Sequence, residues 1–261
     1  MRSARIAAAT AHLQEALAIL QADDDPYQRA YALTVLGGIL GAQGEFEAAQ
    51  RTLEDSLALN QAAGNRAGAA GARMNLAIAH LMRDQFEPAR AHLTMSLQHF
   101  RAIGDLPGVA AALNNLGYLA LQTGDLPLAQ QHFSESHPIS VRLKDRWGAA
   151  NTLANLGQVD LHLGQRETAR VRFREALSQA MQIEALPLAL EVLTGLAKLL
   201  WQEGDPDRAR QLTATVLAHP ALGLEVKAQA EALQAAWGQA APAPDLNGLV
   251  RELTAPLVVT S

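Results

Sequence analysis

The stretch Asn115-Leu116-Gly117-Tyr118-Leu119-Ala120-Leu121-Gln122-Thr123-Gly124-Asp125-Leu126-Pro127-Leu128-Ala129 decides the fold, because its landmarks return along the whole chain. Its leucine at 116 recurs as Leu36, Leu76, Leu156 and Leu196, always followed by a small residue (Gly37, Ala77, Gly157, Ala197). Gly124 recurs as Gly44, Gly164 and Gly204, with Asp84 in the remaining place, and Ala129 recurs as Ala49, Ala89, Ala169 and Ala209. Leu53, Leu93, Phe133 and Phe173 complete a fourth column. Every step is forty residues, so four columns share one register and the chain is an internal repeat.

Each column has a physical task. Small residues beside the leucine, and the alanine column, let two helices approach closely. The large residue four positions after the alanine fills the seam. The glycine column ends the first helix, where the left-handed conformation costs glycine little. Asp125 and Asp205 then stand as N-caps, and Pro88, Pro127 and Pro206 fall in the first turn of a second helix, where a missing N–H is harmless. The unit is helix, tight turn, helix.

Composition agrees. Aromatics are 4% of the 261 residues, and Ala, Leu, Gln and Arg dominate, which favours helix over strand. A net charge of −5 with interspersed signs lacks the basic stripe of a nucleic-acid binder. With no cysteine there are neither disulfides nor thiolate metal sites, which suits a reducing cytoplasm. His12, Gln14 and Glu15 interrupt the apolar start before a signal-peptide core can form, and no run reaches the length of a membrane span. The eight histidines show no metal-ligand spacing, and there is no Walker-type phosphate loop, so no catalytic residue, cofactor or metal ligand is assigned.

The Leu-Gly pair, the turn glycine, the alanine and the later Phe or Leu resemble the tetratricopeptide repeat, most closely at Leu116, Gly117, Gly124, Ala129, Phe133 and Ser136. The usual repeat is about 34 residues, so the forty-residue step is a departure. Long repeats of this kind resemble those of bacterial multidomain signalling ATPases, of LuxR- or SARP-type regulators, and of the kinesin light chain class. The resemblance implies an all-α, right-handed superhelical solenoid of antiparallel helix pairs, a non-enzymatic protein-binding scaffold whose concave wall is built by the first helices.

The expected organisation is a half-repeat at 1–26, full repeats at 27–65, 66–105, 106–145, 146–185 and 186–220, and a capping helix at 221–239. A Pro-containing spacer, a short helix capped by Asp245 and a tail occupy 240–261. A start midway through a repeat suggests a piece of a longer protein. Three roles follow as expectations: a sensor or partner-docking array of a larger cytoplasmic regulator, a spacer packed on neighbouring ATPase or DNA-binding domains, or a free-standing adaptor.

Mapped by the resemblance, groove positions are Asn75, Asn114, Asn115, Tyr118, Asn151, Asn155, Gln158, His162, Lys198 and Trp201, with Ile78, Gln122 and Gln202 beside them. Asn75, Asn115 and Asn155 stand one repeat apart. Amides both donate and accept, so such a ladder can grip an extended peptide backbone, or it can bond a neighbouring repeat and set the stacking. Both readings are open, as they are for Trp201, a ligand anchor or a core filler. Two irregularities stand out: His137-Pro138 where other repeats carry Leu, expected to kink or shorten its helix, and Asp160 at a position of Leu40, Ala120 and Leu200, where a withdrawn carboxylate needs a partner.

Overall fold

The computed structural model describes residues 10–13, 15, 17–18, 25–238 and 242–255, and every regular element among them is helical. The expected half-repeat positions Ala9 and Ala16, the spacer residues Ala240 and Ala241, and the tail beyond Ala255 lie outside the described residues. The chain divides into two compact units, Met1–Asp125 and Leu126–Ser261.

In the first unit, α1 (Pro26–Ala42), α2 (Phe46–Ala62), α3 (Arg66–Leu81), α4 (Phe86–Ile103) and α5 (Leu106–Gln122) follow one another. α1 packs on α2 and α3 on α4 as hairpins, and the first helices α1, α3 and α5 also touch in succession. Leu13 and Leu17, both helical, pack on the cluster of Leu36, Leu40 and Ala49. The close approach expected beside the leucine column is real: a Cβ on Gly37 would lie 2.4 Å from Leu53 Cγ.

The second unit holds α6 (Leu126–Leu143), α7 (Arg146–His162), α8 (Arg166–Gln182), α9 (Leu186–Gln202), α10 (Pro206–Ala218), α11 (Leu224–Trp237) and α12 (Leu246–Thr254). Its core gathers Phe173, Leu177, Leu190, Leu193 and Leu212, all fully buried. Here the seam is closed by an aromatic ring, since a Cβ on Gly157 would stand 2.8 Å from the Phe173 ring. α12 folds back onto α8, burying Leu249 and Val250 in the same core. Arg208 pairs with Glu252, and Arg174 donates to the Ala255 carbonyl.

Turn chemistry repeats with the helices. Gly44, Gly124, Gly164 and Gly204 take the left-handed conformation, and Asp84 does so without being glycine. Asp205 caps α10 by accepting from the Arg208 N–H at 3.1 Å. A second capping column opens the first helices: Asp25, Asn65, Asp105 and Asp145 each accept a backbone N–H from the first turn. Ala185 replaces that column at the start of α9, which has no side-chain cap.

Pro138 does not shorten its helix. α6 runs 18 residues through it, held by buried Phe133, Ser136 and Ser140. The carbonyl deprived of its donor belongs to Ser134, an exposed residue.

Candidate functional site

The groove positions inferred from sequence all fall on first helices, and each unit carries its own set. In the first unit, Asn75 of α3 reaches back to the preceding repeat, its Nδ2 donating to the Thr34 carbonyl at 3.4 Å. Asn115 of α5 donates instead to Ala111 within its own helix at 3.0 Å. Asn114 and Tyr118 are half-buried.

In the second unit Asn155 is 6% exposed and donates to Asn151 Oδ1 at 3.1 Å on the same helix. The three amides spaced forty residues apart therefore do three different things, two of them within their own helix. Asn115 and Asn155 each bond the residue four positions earlier on the same helix face, whereas Asn75 reaches across to the preceding repeat.

Gln158 is half-buried, its amide 2.7 Å from where a Cβ on Gly195 would stand, so the glycine of α9 makes room for it. At the end of α7, His162 is exposed, and partial burial of the ring together with the Lys198 ammonium holds its imidazole below the ordinary value. Lys198 on α9 is itself largely withdrawn from water, which lowers its pKa against the pull of Glu191.

Glu191 was not among the sequence candidates. It stands one repeat after Asn151 and seven residues before Lys198, on the same face of α9, and is half-buried. Burial first, then Glu225 at the start of α11, push its carboxyl up to about 7, with Lys198 opposing. The repeat register was the signal that could have found it, since Glu191 belongs to the column of Asn151. Together Gln158, His162, Glu191 and Lys198 of the first helices, with Glu225 of α11, make a polar surface with two acids, an ammonium and an imidazole.

Trp201 lies at the end of this surface, stacked on Trp237 of α11 with ring centroids 4.6 Å apart and planes within 6°. The Arg210 guanidinium sits 5.6 Å from the Trp201 ring centre and donates through Nε to the Trp237 carbonyl. The ring is partly covered by the chain's own capping helix.

Among the described residues no group of three or more His, Cys, Asp or Glu could hold a metal ion, and no helix is long and apolar enough to cross a membrane.

The tetratricopeptide repeat family model matches residues 68–140 and 148–219, and a second model of the same description matches 30–55. The chain belongs to the tetratricopeptide repeat family. Its sequence matches none of the curated proteins. Among solved structures this tetratricopeptide chain is similar to a Rap protein complexed with competence and sporulation factor, at 16% identity and a TM-score of 0.68 over 97% of this chain and 73% of that one. It is similar to NprR in complex with its cognate peptide NprX, at 16% identity and 0.67 over 86% of this chain and 63% of that one. A third likeness is to a signal-transduction ATPase with numerous domains and a tetratricopeptide repeat sensor from Pyrococcus horikoshii, at 13% identity and 0.63 over 93% of this chain and 40% of that one. The chain thus spans less than two thirds of NprR and two fifths of the ATPase. These likenesses establish the fold.

Proposed function

We propose that this tetratricopeptide chain is a non-enzymatic scaffold that binds a protein segment or extended peptide along its first helices. The observation that carries this is the polar surface on α7 and α9. Gln158, Glu191 and Lys198 sit half-buried, and apart from Thr194 and Gln202 every other position of α9 is apolar. Withdrawing an acid and an ammonium from water costs stability, and a core-only role would fill those positions with leucine. Partly desolvated groups of both signs are suited to hold the amide and charged groups of a peptide. The NprR complex, on a similar fold, holds a peptide.

The finer role is a sensor or docking region within a larger bacterial signalling or transcription regulator acting in the cytoplasm. The likeness to an ATPase with a repeat sensor, of which this chain spans two fifths, supports that placement. The amides Asn75, Asn115 and Asn155 are assigned to stacking and helix support rather than to the ligand, on the strength of their partners within the chain.

Panning a peptide display library against the whole chain tests this. Enriched peptides should bind the Gln158→Ala/Lys198→Ala variant at least about tenfold more weakly, a loss of about 1.4 kcal/mol. Equal binding to both proteins, with both melting alike, excludes the proposed surface.

A further inference from the structure

The second unit has two clefts on the edge formed by the C-terminal ends of its second helices, and they are the same cleft one repeat apart. One, about 520 Å³, is lined by Val141, Lys144, Arg146 and Gln179 among others. The other, about 700 Å³, is lined at the corresponding positions by Met181, Glu184, Leu186 and His219. The difference lies in what borders them. The 700 Å³ cleft is walled by the chain's own segment Ala243–Asn247, where Pro244 accepts from the Thr215 hydroxyl at 3.4 Å and α12 begins. The 520 Å³ cleft has no such segment in its lining.

The open cleft differs in charge and surroundings as well. Lys144 and Arg146 stand where the self-bordered cleft has Glu184 and Leu186. Asp145, between them, uses one carboxylate oxygen to cap α7 at the Gly148 N–H, 2.9 Å away. Val141, which lines it, is 55% exposed, and Trp147, next in sequence to the lining residue Arg146, is 54% exposed. Lys144 holds φ 58 at a turn whose counterparts in the first unit are glycines, Gly64 and Gly104. Glu184, its counterpart at the self-bordered cleft, likewise holds a left-handed φ of 55.

We propose that the cleft between the α6–α7 turn and the end of α8 is a docking site for an acidic amphipathic segment of a partner protein, seated as the chain's own residues 243–247 border the next cleft. Its apolar residues cover Val141 and Trp147, and its carboxylates meet Lys144 and Arg146. This surface is separate from the first-helix surface proposed for peptide binding, so either assignment stands without the other.

A labelled peptide of residues 242–255 carrying Arg251→Glu, which makes the short helix acidic, is titrated into the full chain. It should bind saturably, and binding should weaken at least about tenfold when salt is raised from about 50 to about 300 mM. Lys144→Glu/Arg146→Glu should lower affinity by at least about tenfold, and so should Lys144→Gly/Arg146→Ser, which removes the charges while giving the turn its preferred residue. Absence of binding at millimolar peptide overturns the proposal, as does affinity within about twofold for a variant that melts like the wild type. A dimer that the charge reversal dissolves in sedimentation gives the cleft to a second copy of this chain and overturns it equally.

Discussion

Both carboxylate oxygens of Asp160 lie 2.7 Å from Arg172 Nη1, and Asp160 is fully buried while Arg172 reaches it from α8. The acid in a leucine position is thus held by a bond between the two helices of a hairpin. Burial nevertheless raises its carboxyl above the ordinary range, with the Arg172 charge and hydrogen bond opposing that rise.

Removing one partner should therefore hurt more than removing both. Arg172→Ala leaves a buried carboxylate alone and should cost about 3–5 kcal/mol near neutral pH, less in acid where Asp160 protonates. Asp160→Leu/Arg172→Leu should come within about 1 kcal/mol of wild type. Denaturant melts of the two variants decide; a double variant as unstable as the single one refutes this account.

Glu191 sets a pH dependence of known sign. A carboxyl raised to about 7 in the folded chain binds protons that the unfolded chain has already released, so stability falls as pH climbs from the ordinary range near 4.5 through 7. Glu191→Gln should abolish that fall and raise the melting temperature at pH 8 by roughly 5 °C, with little change at pH 4. Identical pH profiles for the two proteins rule the assignment out.

The Gly157–Phe173 contact should behave as a matched pair. Gly157→Ala puts a methyl group 2.8 Å from the ring and should cost about 1–3 kcal/mol, despite alanine's better helix propensity. In the Phe173→Leu background the same change should cost less, and a double-mutant cycle reads the coupling directly. A coupling near zero means the ring shifts freely.

Arg73 occupies the column of Leu113, Leu153 and Leu193, is 7% exposed, and has no hydrogen-bond partner at Nη1. Burial, then His80, then Arg73 hold the neighbouring His92 imidazole below its ordinary value. Arg73→Leu should stabilise the first unit by about 1–3 kcal/mol. The same substitution should raise the His92 pKa, seen by NMR titration, and a lowered melting point would show that the guanidinium has a supporting role.

The local devices were legible in the residues. Leucine beside glycine, the turn column and Phe173 opposite its glycine all act within one hairpin, where spacing on a helix dictates which side chains meet. Asp160's need for a partner could also be read, because an acid in a leucine column is conspicuous. The asparagine ladder is uniform in spacing, yet its amides donate to different acceptors: Asn75 to Thr34, Asn115 to Ala111 and Asn155 to Asn151.

By itself, then, the sequence determined the repeat, the helix pairs and their seams, which follow from its periodicity, and it carries the motifs that resemble the tetratricopeptide family. Only the tertiary structure decided that Arg172 is the partner of Asp160, that Glu225 of α11 acts on Glu191 of α9, that Trp201 lies on Trp237, and that α12 folds back beside one of two equivalent clefts. The reason is distance along the chain. Contacts between successive repeats depend on how whole helices stack, and side chains that meet there carry no common spacing from which their meeting can be read.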